Sequence, residues 1–293
     1  MASLKEVKNR ITSVISTQQI TKAMRMVAAS KLRRSQEKMH QIRPYASKLN
    51  GIVSNLIASI GPDRDNDWYN AKRAENKILV VAITSDRGLC GAFNSTVIKA
   101  TVRLIQEKYA TQFNKGNVTI LPFGKRSMEY FTKRNFNCEN SYWGIFSQLN
   151  FENVSKAGNY VIEVFKQGGY DKVEIVYNEF KNVATQILTI EQFLPLKAAP
   201  SEREKSPDYI LEPKGEELLS GLIPQLLNVQ LYRTVLESNA AENAARMTAM
   251  DKASENAGEL LKELKLIYNR SRQAAITKEI LEIVGGAEAL KSA

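Results

Sequence analysis

Two stretches carry residue types that could hold a phosphate. Thr84-Ser-Asp-Arg-Gly-Leu-Cys-Gly-Ala-Phe-Asn94 and Phe123-Gly-Lys-Arg-Ser127 each follow a β-branched apolar run and precede a helical pattern. That is where glycine-rich loops cradle anions against a helix N-terminus. The spacings argue against it. Gly88-x-x-Gly91 is not the dinucleotide fingerprint, no Gly-Lys-Ser/Thr follows it, and Thr119 stands where a Walker loop needs its first glycine. A tight turn after a strand accounts for each loop. His40 is the only histidine, on the polar side of a helical pattern, so neither a nucleophilic triad nor a metal cluster can be assembled around it. Cys90 and Cys138 have no CxxC spacing. Cys90, with no basic neighbour in sequence closer than Arg87, reads as packed rather than reactive. The expectation is a chain with no catalytic residues, no cofactor and no metal.

The elements around these loops are of two kinds. From the N-terminus, stations in alternating threes and fours run Leu4, Val7, Ile11, Val14, Gln18, Thr21, Arg25, Ala28, Leu32, Ser35, Met39, Ile42, Ala46, Leu49, Val53, Leu56 and Ile60. The only polar stations lie between Gln18 and Ser35. A heptad sustained this long is a coiled-coil seam on a helix of roughly 80–90 Å. Gly61-Pro62 should end it, and Asp63–Asn70 reads as linker. A second such stripe runs Leu236, Ala240, Asn243, Met247, Met250, Ser254, Ala257, Leu261, Leu264, Tyr268, Ser271 and Ala275, with Pro224 expected to kink or restart that helix.

Between the helices lies an alternation of strand and helix. Lys77–Ser85 and Asn117–Phe123 read as strands, Ser95–Tyr109, Lys125–Lys133 and Phe151–Gln167 as helices, and Asp171–Glu179 with Ala184–Phe193 as a hairpin. The expected fold is α/β with a long antiparallel coiled coil. The N-terminal helix (1–60) and C-terminal helix (214–288) pair, and a small Rossmann-like α/β domain (75–195) is inserted between them, followed by a loop (196–213). Neither long stripe can be buried on so small a domain, so the helices must cover each other or a partner. If the polar stations near Met24 lie level with Arg246, the chain from Arg270 onward continues past the N-terminus alone.

Charge is unevenly placed. Of 41 Lys and Arg, eleven fall in the first fifty positions against two acids, Glu6 and Glu37. A basic helix suits nucleic acid, an anionic membrane surface or an acidic protein. For a nucleic-acid-binding coiled coil the weakness is aromatic content: Tyr45 is the only Phe, Trp or Tyr in the first sixty residues. No apolar run is long enough to span a bilayer, and the start of the chain has no signal-peptide pattern, so a soluble protein in a reducing compartment is expected. At the other end, Ile276, Ile280, Leu281, Ile283, Val284, Ala287 and Leu290 cover most of a helix circumference, and Gly285-Gly286 should weaken that helix. A helix apolar nearly all round calls for a surrounding partner.

Three blocks carry a resemblance to a known family. They are Ile20-Thr-Lys-Ala-Met-Arg-Met-Val-Ala-Ala-Ser-Lys-Leu32, Ser85-Asp-Arg-Gly-Leu-Cys-Gly-Ala-Phe-Asn94, and the C-terminal pair Ala244-Ala-Arg-Met-Thr-Ala-Met-Asp251 and Ile276-Thr-x-Glu-x-x-Glu-Ile-Val-x-Gly-Ala287. Over essentially its whole length the chain resembles the gamma subunits of F-type ATP synthases. The resemblance implies a central-stalk rotor, non-catalytic itself, that couples transmembrane proton or sodium flow to ATP synthesis or hydrolysis at the beta subunits. The implied partners are the ring of alpha and beta subunits, the epsilon subunit and the membrane c-ring, with no nucleic acid. The implied place is peripheral, on the cytoplasmic face of a bacterial plasma membrane. By motif, the coupling contacts would be Met24, Lys31, Arg33 and Arg34 on the first helix and Arg246 on the second, with Gln273, Thr277 and Glu279 touching the ring nearer its end. The chain lacks the cysteine-bearing insert of chloroplast relatives after Phe193, so thiol control is not expected.

Overall fold

Strand β1 (Ile78–Ile83) is six apolar residues in a row, and every one is buried. Such a run needs cover on both faces, which helices packed on the two sides of the sheet supply. The computed structural model describes residues 4–60, 68–70, 73–196 and 215–291. In it β1 pairs in parallel with β2 (Val118–Phe123) on one side and with β3 (Lys172–Phe180) on the other. β4 (Gln186–Leu194) returns antiparallel to β3, giving the order β2-β1-β3-β4. The expected turn at Gly61-Pro62, most of the linker after it, and the loop expected at 196–213 beyond Leu196 lie outside the described residues.

Side chains alternate across the sheet. Ile78, Val80, Ala82, Val118 and Ile120 face helices α2 (Phe93–Lys108) and α4 (Lys125–Thr132), where Val97, Leu104, Ile105 and Phe131 close the layer. A short helix, α3 (Ala110–Asn114), follows α2. Leu79, Val81, Ile83, Leu121 and Phe123 face the other way, onto α5 (Phe151–Lys166) and onto parts of the two long helices, α1 (Leu4–Ile60) and α6 (Gly215–Lys291).

The chain separates into two compact units. One comprises residues 29–246 and holds the sheet, α2 to α5, and the adjoining stretches of α1 and α6. Here α6 has no single buried stripe: from Ile223 to Arg246 nearly every position is buried or half-buried. Leu226, Leu227, Val229, Leu231, Val235 and Leu236 share one core with the sheet and with Leu32, Met39, Leu49, Val53 and Leu56 of α1. This corrects the expectation that the long helices cover only each other or a partner. Periodicity assumes one apolar face, and α6 here is wrapped on several. α6 also runs unbroken through Pro224, between Ile223 and Leu227 in that core, and α1 runs unbroken through Pro44. No restart occurs at Pro224.

The second unit comprises residues up to Ala28 and from Met247 onward. Val7, Ala28, Met250, Ala257 and Leu264 are its buried apolar residues. The helices are antiparallel. Thr21 Oγ1 and Ser254 Oγ lie 2.7 Å apart, Gln18 Nε2 donates to the Ser254 carbonyl at 3.3 Å, and Arg25 pairs with Asp251 at 3.1 Å. The residues level with Met24 therefore lie near Asp251, several positions beyond the register expected from Arg246. Arg25 is exposed, whereas Met24 is half-buried, so the seam passes through Met24 at that turn. Among the residues whose burial is described, Ala275 is the last half-buried one of α6, and Ile276 to Ala287 are exposed on every side. The helix persists through Gly285 and Gly286.

Candidate interaction surface

The loop from Ser85 to Asn94, which composition made a phosphate candidate, is tied up by its own side chains. Ser85 Oγ donates to the Arg87 carbonyl at 2.6 Å, and the Ser85 amide donates to Asn94 Oδ1 at 2.9 Å. Leu89 (φ 65°) and Gly91 (φ 60°) take left-handed backbone, which turns the loop sharply and leaves Leu89 65% exposed. The amides that open α4 are equally committed. Lys125 N–H donates to Asp86 Oδ1 at 3.0 Å, Arg126 N–H to the Ser85 carbonyl at 3.2 Å and Ser127 N–H to Thr84 Oγ1 at 2.9 Å. An anion at that terminus would have to displace all three. Gly124 is required for a different reason. Its φ is 105°, and a Cβ there would stand 2.2 Å from the Thr84 carbonyl oxygen. Both loops are therefore tight turns that lead from a strand into a helix.

Arg246 supplies what joins the first loop to α6. Its guanidinium donates to the carbonyls of Gly88 and Arg87 and pairs with Glu242 one turn earlier. The two side chains are only 13% and 12% exposed, a nearly desolvated ion pair. Cys90 lies beside it, 1% exposed, in a small cluster with Phe93 and Ala241. Burial pushes the thiol above its ordinary value; hydrogen bonding from Ser85 pulls it back, the Glu242 carboxylate raises it and Arg246 lowers it. The thiol stays protonated at neutral pH. A basic neighbour does exist after all, and it comes from the far end of the sequence.

The other residues singled out by motif are not gathered into one cluster. Lys31, Arg33 and Arg34 are exposed on α1, and Arg33 is paired with Glu37 at 3.0 Å. In the second unit Met24 is half-buried in the seam, while Gln273, Thr277 and Glu279 are exposed on α6, with Thr277 Oγ1 donating to the Gln273 carbonyl at 3.0 Å. Residue-type reasoning passed over Ile20, Met26 and Val27, apolar and exposed on α1 by 59%, 63% and 57%. Their signal was available: they fall off the stripe, where a solvated helix face carries polar residues. His40 is exposed. Among the described residues no His/Cys/Asp/Glu group could hold a metal ion, and no helix is long and apolar enough to cross a membrane.

With this geometry in view, similarity to known proteins gives it a place. A family model described as ATP synthase matches residues 3–290. The ATP synthase gamma chain of Cytophaga hutchinsonii is 55% identical over 296 residues, covering 100% of both chains. That of Flavobacterium johnsoniae is 50% identical, covering 99% of each, and that of Chlorobium phaeobacteroides 47%, covering 99% of this chain and 100% of its own. Among solved structures, a chain from the central stalk and c-ring of the Tetrahymena thermophila mitochondrial ATP synthase aligns with a TM-score of 0.57 at 25% identity, over 80% of this chain and 99% of its own. A chain of the Euglena gracilis mitochondrial ATP synthase shares the fold at 21% identity, with a TM-score of 0.66 over 99% of this chain and 95% of its own. Matched from end to end by relatives that share about half its residues, the chain belongs to the gamma chain family of ATP synthases.

Proposed function

We propose that this chain is the non-catalytic rotor shaft of an F-type ATP synthase, turned by proton or sodium flow and working on catalytic sites carried by beta subunits. In this reading the helices 1–60 and 214–288 form the shaft, the inserted domain 75–195 is the foot that meets the c-ring and the epsilon subunit, and 196–213 is a connecting loop. The chain would sit peripherally on the cytoplasmic face of a bacterial membrane. The observation that carries the reading is the end of α6. Ile280, Leu281, Ile283 and Val284 stand 54%, 65%, 71% and 53% exposed around a helix that no other described segment covers. Apolar contacts have no preferred direction, so a sleeve around such a helix would resist its rotation little. Further back, the directional groups would grip: Met24, Lys31, Arg33, Arg34 and Arg246 as coupling contacts to acidic loops of the ring, and Gln273, Thr277 and Glu279 as ring contacts nearer the end.

Two features support a non-catalytic role. The amides opening α4 are all satisfied internally, and the thiol of Cys90 is buried and protonated. Nothing in the comparisons supports a nucleic-acid-binding coiled coil. The test is reconstitution with alpha and beta subunits. ATP hydrolysis should need all three together, while the chain alone should hydrolyse none and bind nucleotide no better than about millimolar. Hydrolysis by alpha and beta that is indifferent to this chain, or micromolar nucleotide affinity of the free chain, would remove the proposal.

A further inference from the structure

A cleft of about 440 Å³ runs between α2 and α4 on the outer face of the inserted domain. Ser95 and Lys99 form one wall, and Arg126, Tyr130, Lys133 and Arg134 form the other. Arg126, Tyr130 and Lys133, spaced four and three, share one side of α4, and Arg134 follows just past its end. Ile98 contributes an apolar floor, 8% exposed, and Tyr130 a half-buried ring with the Arg134 guanidinium 3.8 Å from its centroid. Four cations therefore line the cleft against one acid, Glu129, which Arg126 and Lys125 already engage at 3.3 and 3.8 Å. Among the described residues, neither Lys99 nor Lys133 has a carboxylate within ion-pair distance.

We propose that this cleft is a docking groove for an acidic, amphipathic segment of a partner protein. Carboxylates would meet Lys99 and Lys133 across the groove, and an apolar side chain would rest on Ile98 and Tyr130. Charge sign selects an anionic occupant. The type of donor then selects a protein segment over a phosphate. The amides that open α4 are spent on Asp86, Ser85 and Thr84, so the α4 wall of the groove offers dispersed side-chain cations beside an apolar floor, not a convergent backbone cradle. The two unpaired lysines carry most of the interaction, because their partners cost no existing ion pair.

The full chain tests this with a fluorescent helical peptide bearing Glu and Leu on opposite faces, a Gln-for-Glu version, inorganic tripolyphosphate and ATP. Anisotropy at low salt should show binding of the Glu peptide, weakening as salt is added. The double variant Lys99→Glu/Lys133→Glu should weaken that binding at least about tenfold, and Lys99→Gln/Lys133→Gln should fall between it and the parent. The control Lys115→Glu/Lys181→Glu, equal in charge change and also exposed, should stay within about twofold of the parent. All variants alter exposed side chains, and matching thermal melts would verify that each is folded. Equal weakening by both charge reversals, equal affinity for the Gln peptide, or absence of peptide binding would overturn the proposal. So would tripolyphosphate or ATP binding more tightly than the peptide and losing that affinity in the groove variant, which would make the cleft a phosphate site.

Discussion

Arg246 shows how much one residue carries that its neighbours in sequence do not announce. Its guanidinium holds the Arg87–Gly88 carbonyls and neutralises Glu242 in a nearly dry setting. Removing one partner of such a pair strands the other, so Arg246→Ala should cost about 3–5 kcal/mol in urea unfolding. A loss below about 1 kcal/mol would mean that solvent already screens the pair. Glu237 makes a different prediction, about pH. Burial first, with Glu179 and Glu191 adding, pushes its carboxyl above the ordinary value, while Arg233 and Arg43 pull it back. The folded chain thus holds this proton where the unfolded chain has released it. The associated stability is fully present below the ordinary carboxylate value and is lost as pH rises through the raised one. Glu237→Gln should therefore gain stability relative to the parent between about pH 4 and about pH 7, with the difference vanishing at the acid end. A flat difference across that range would show that Arg233, 3.5 Å away, fully compensates the burial. Motif singled out Arg246 as a surface contact, and its partner Glu242 is only one turn away, but its hold on the Arg87–Gly88 carbonyls and the burial of Glu237 were not readable. Much of what surrounds each is brought from distant segments, and only the packed nature of Cys90 was legible, from its lack of a metal or CxxC partner.

Among the elements, those with a single covered face were legible and those with several were not. Stepping by threes and fours along α1 located nearly every buried position, because a seam repeats wherever one partner helix lies alongside. It failed by one residue at Arg25. The local seam passes through Met24, and Arg25 reaches outward to Asp251. Thr21 and Ser35 read as interruptions, yet both are buried and answered by hydroxyl or amide groups of α6, Ser254 and Asn239. Polar stations in this seam thus fix register. The burial of α6 between Ile223 and Met250 stayed hidden, because Asn228, Thr234, Glu237 and Glu242 interrupt the apolar pattern although all four are buried. Strand limits came within about two residues, since a doubly covered strand is a continuous apolar run whose ends are marked by turns. For the second unit the seam predicts that Leu264→Asp, at a position 8% exposed, should lower stability by several kcal/mol through an unpaired buried charge. The check is selective loss of hydrogen-exchange protection in residues 4–28 and 247–275. Retained protection there would mean that the two helices are held by something other than their apolar seam.

At the scale of the molecule, the question is where force passes between this chain and the ring proposed to surround it. Two kinds of surface are available on the long helices. Residues 276–287 are exposed on all sides and rich in Ile, Leu and Val, so their contacts can hold a position but resist rotation weakly. Lys31, Arg33 and Arg34 are exposed cations on α1, and the Arg33 side chain stays 83% exposed even while paired with Glu37. Contacts through charge depend on angle and sign, so they can be made and broken as the shaft turns. If this division is right, two variants should fail in opposite ways. Deleting the residues after Val284 removes part of the surface that only steadies the shaft, so assembly with alpha and beta should weaken while assembled complexes keep some coupled activity. Replacing Arg33 and Arg34 with glutamate leaves the apolar end untouched and sets like charges against acidic loops. Complexes should then assemble near normally but hydrolyse ATP with markedly less ion pumping. Since both arginines are exposed, their reversal should change the stability of the free chain by no more than about 0.5 kcal/mol, which separates a coupling defect from a folding one. The measurement is ATP-driven acidification of vesicles, or sodium uptake, divided by hydrolysis rate, with subunit stoichiometry determined on the same preparation. A deletion that abolishes coupling in fully assembled enzyme, together with a harmless double reversal, would move the force-bearing contact to the apolar end.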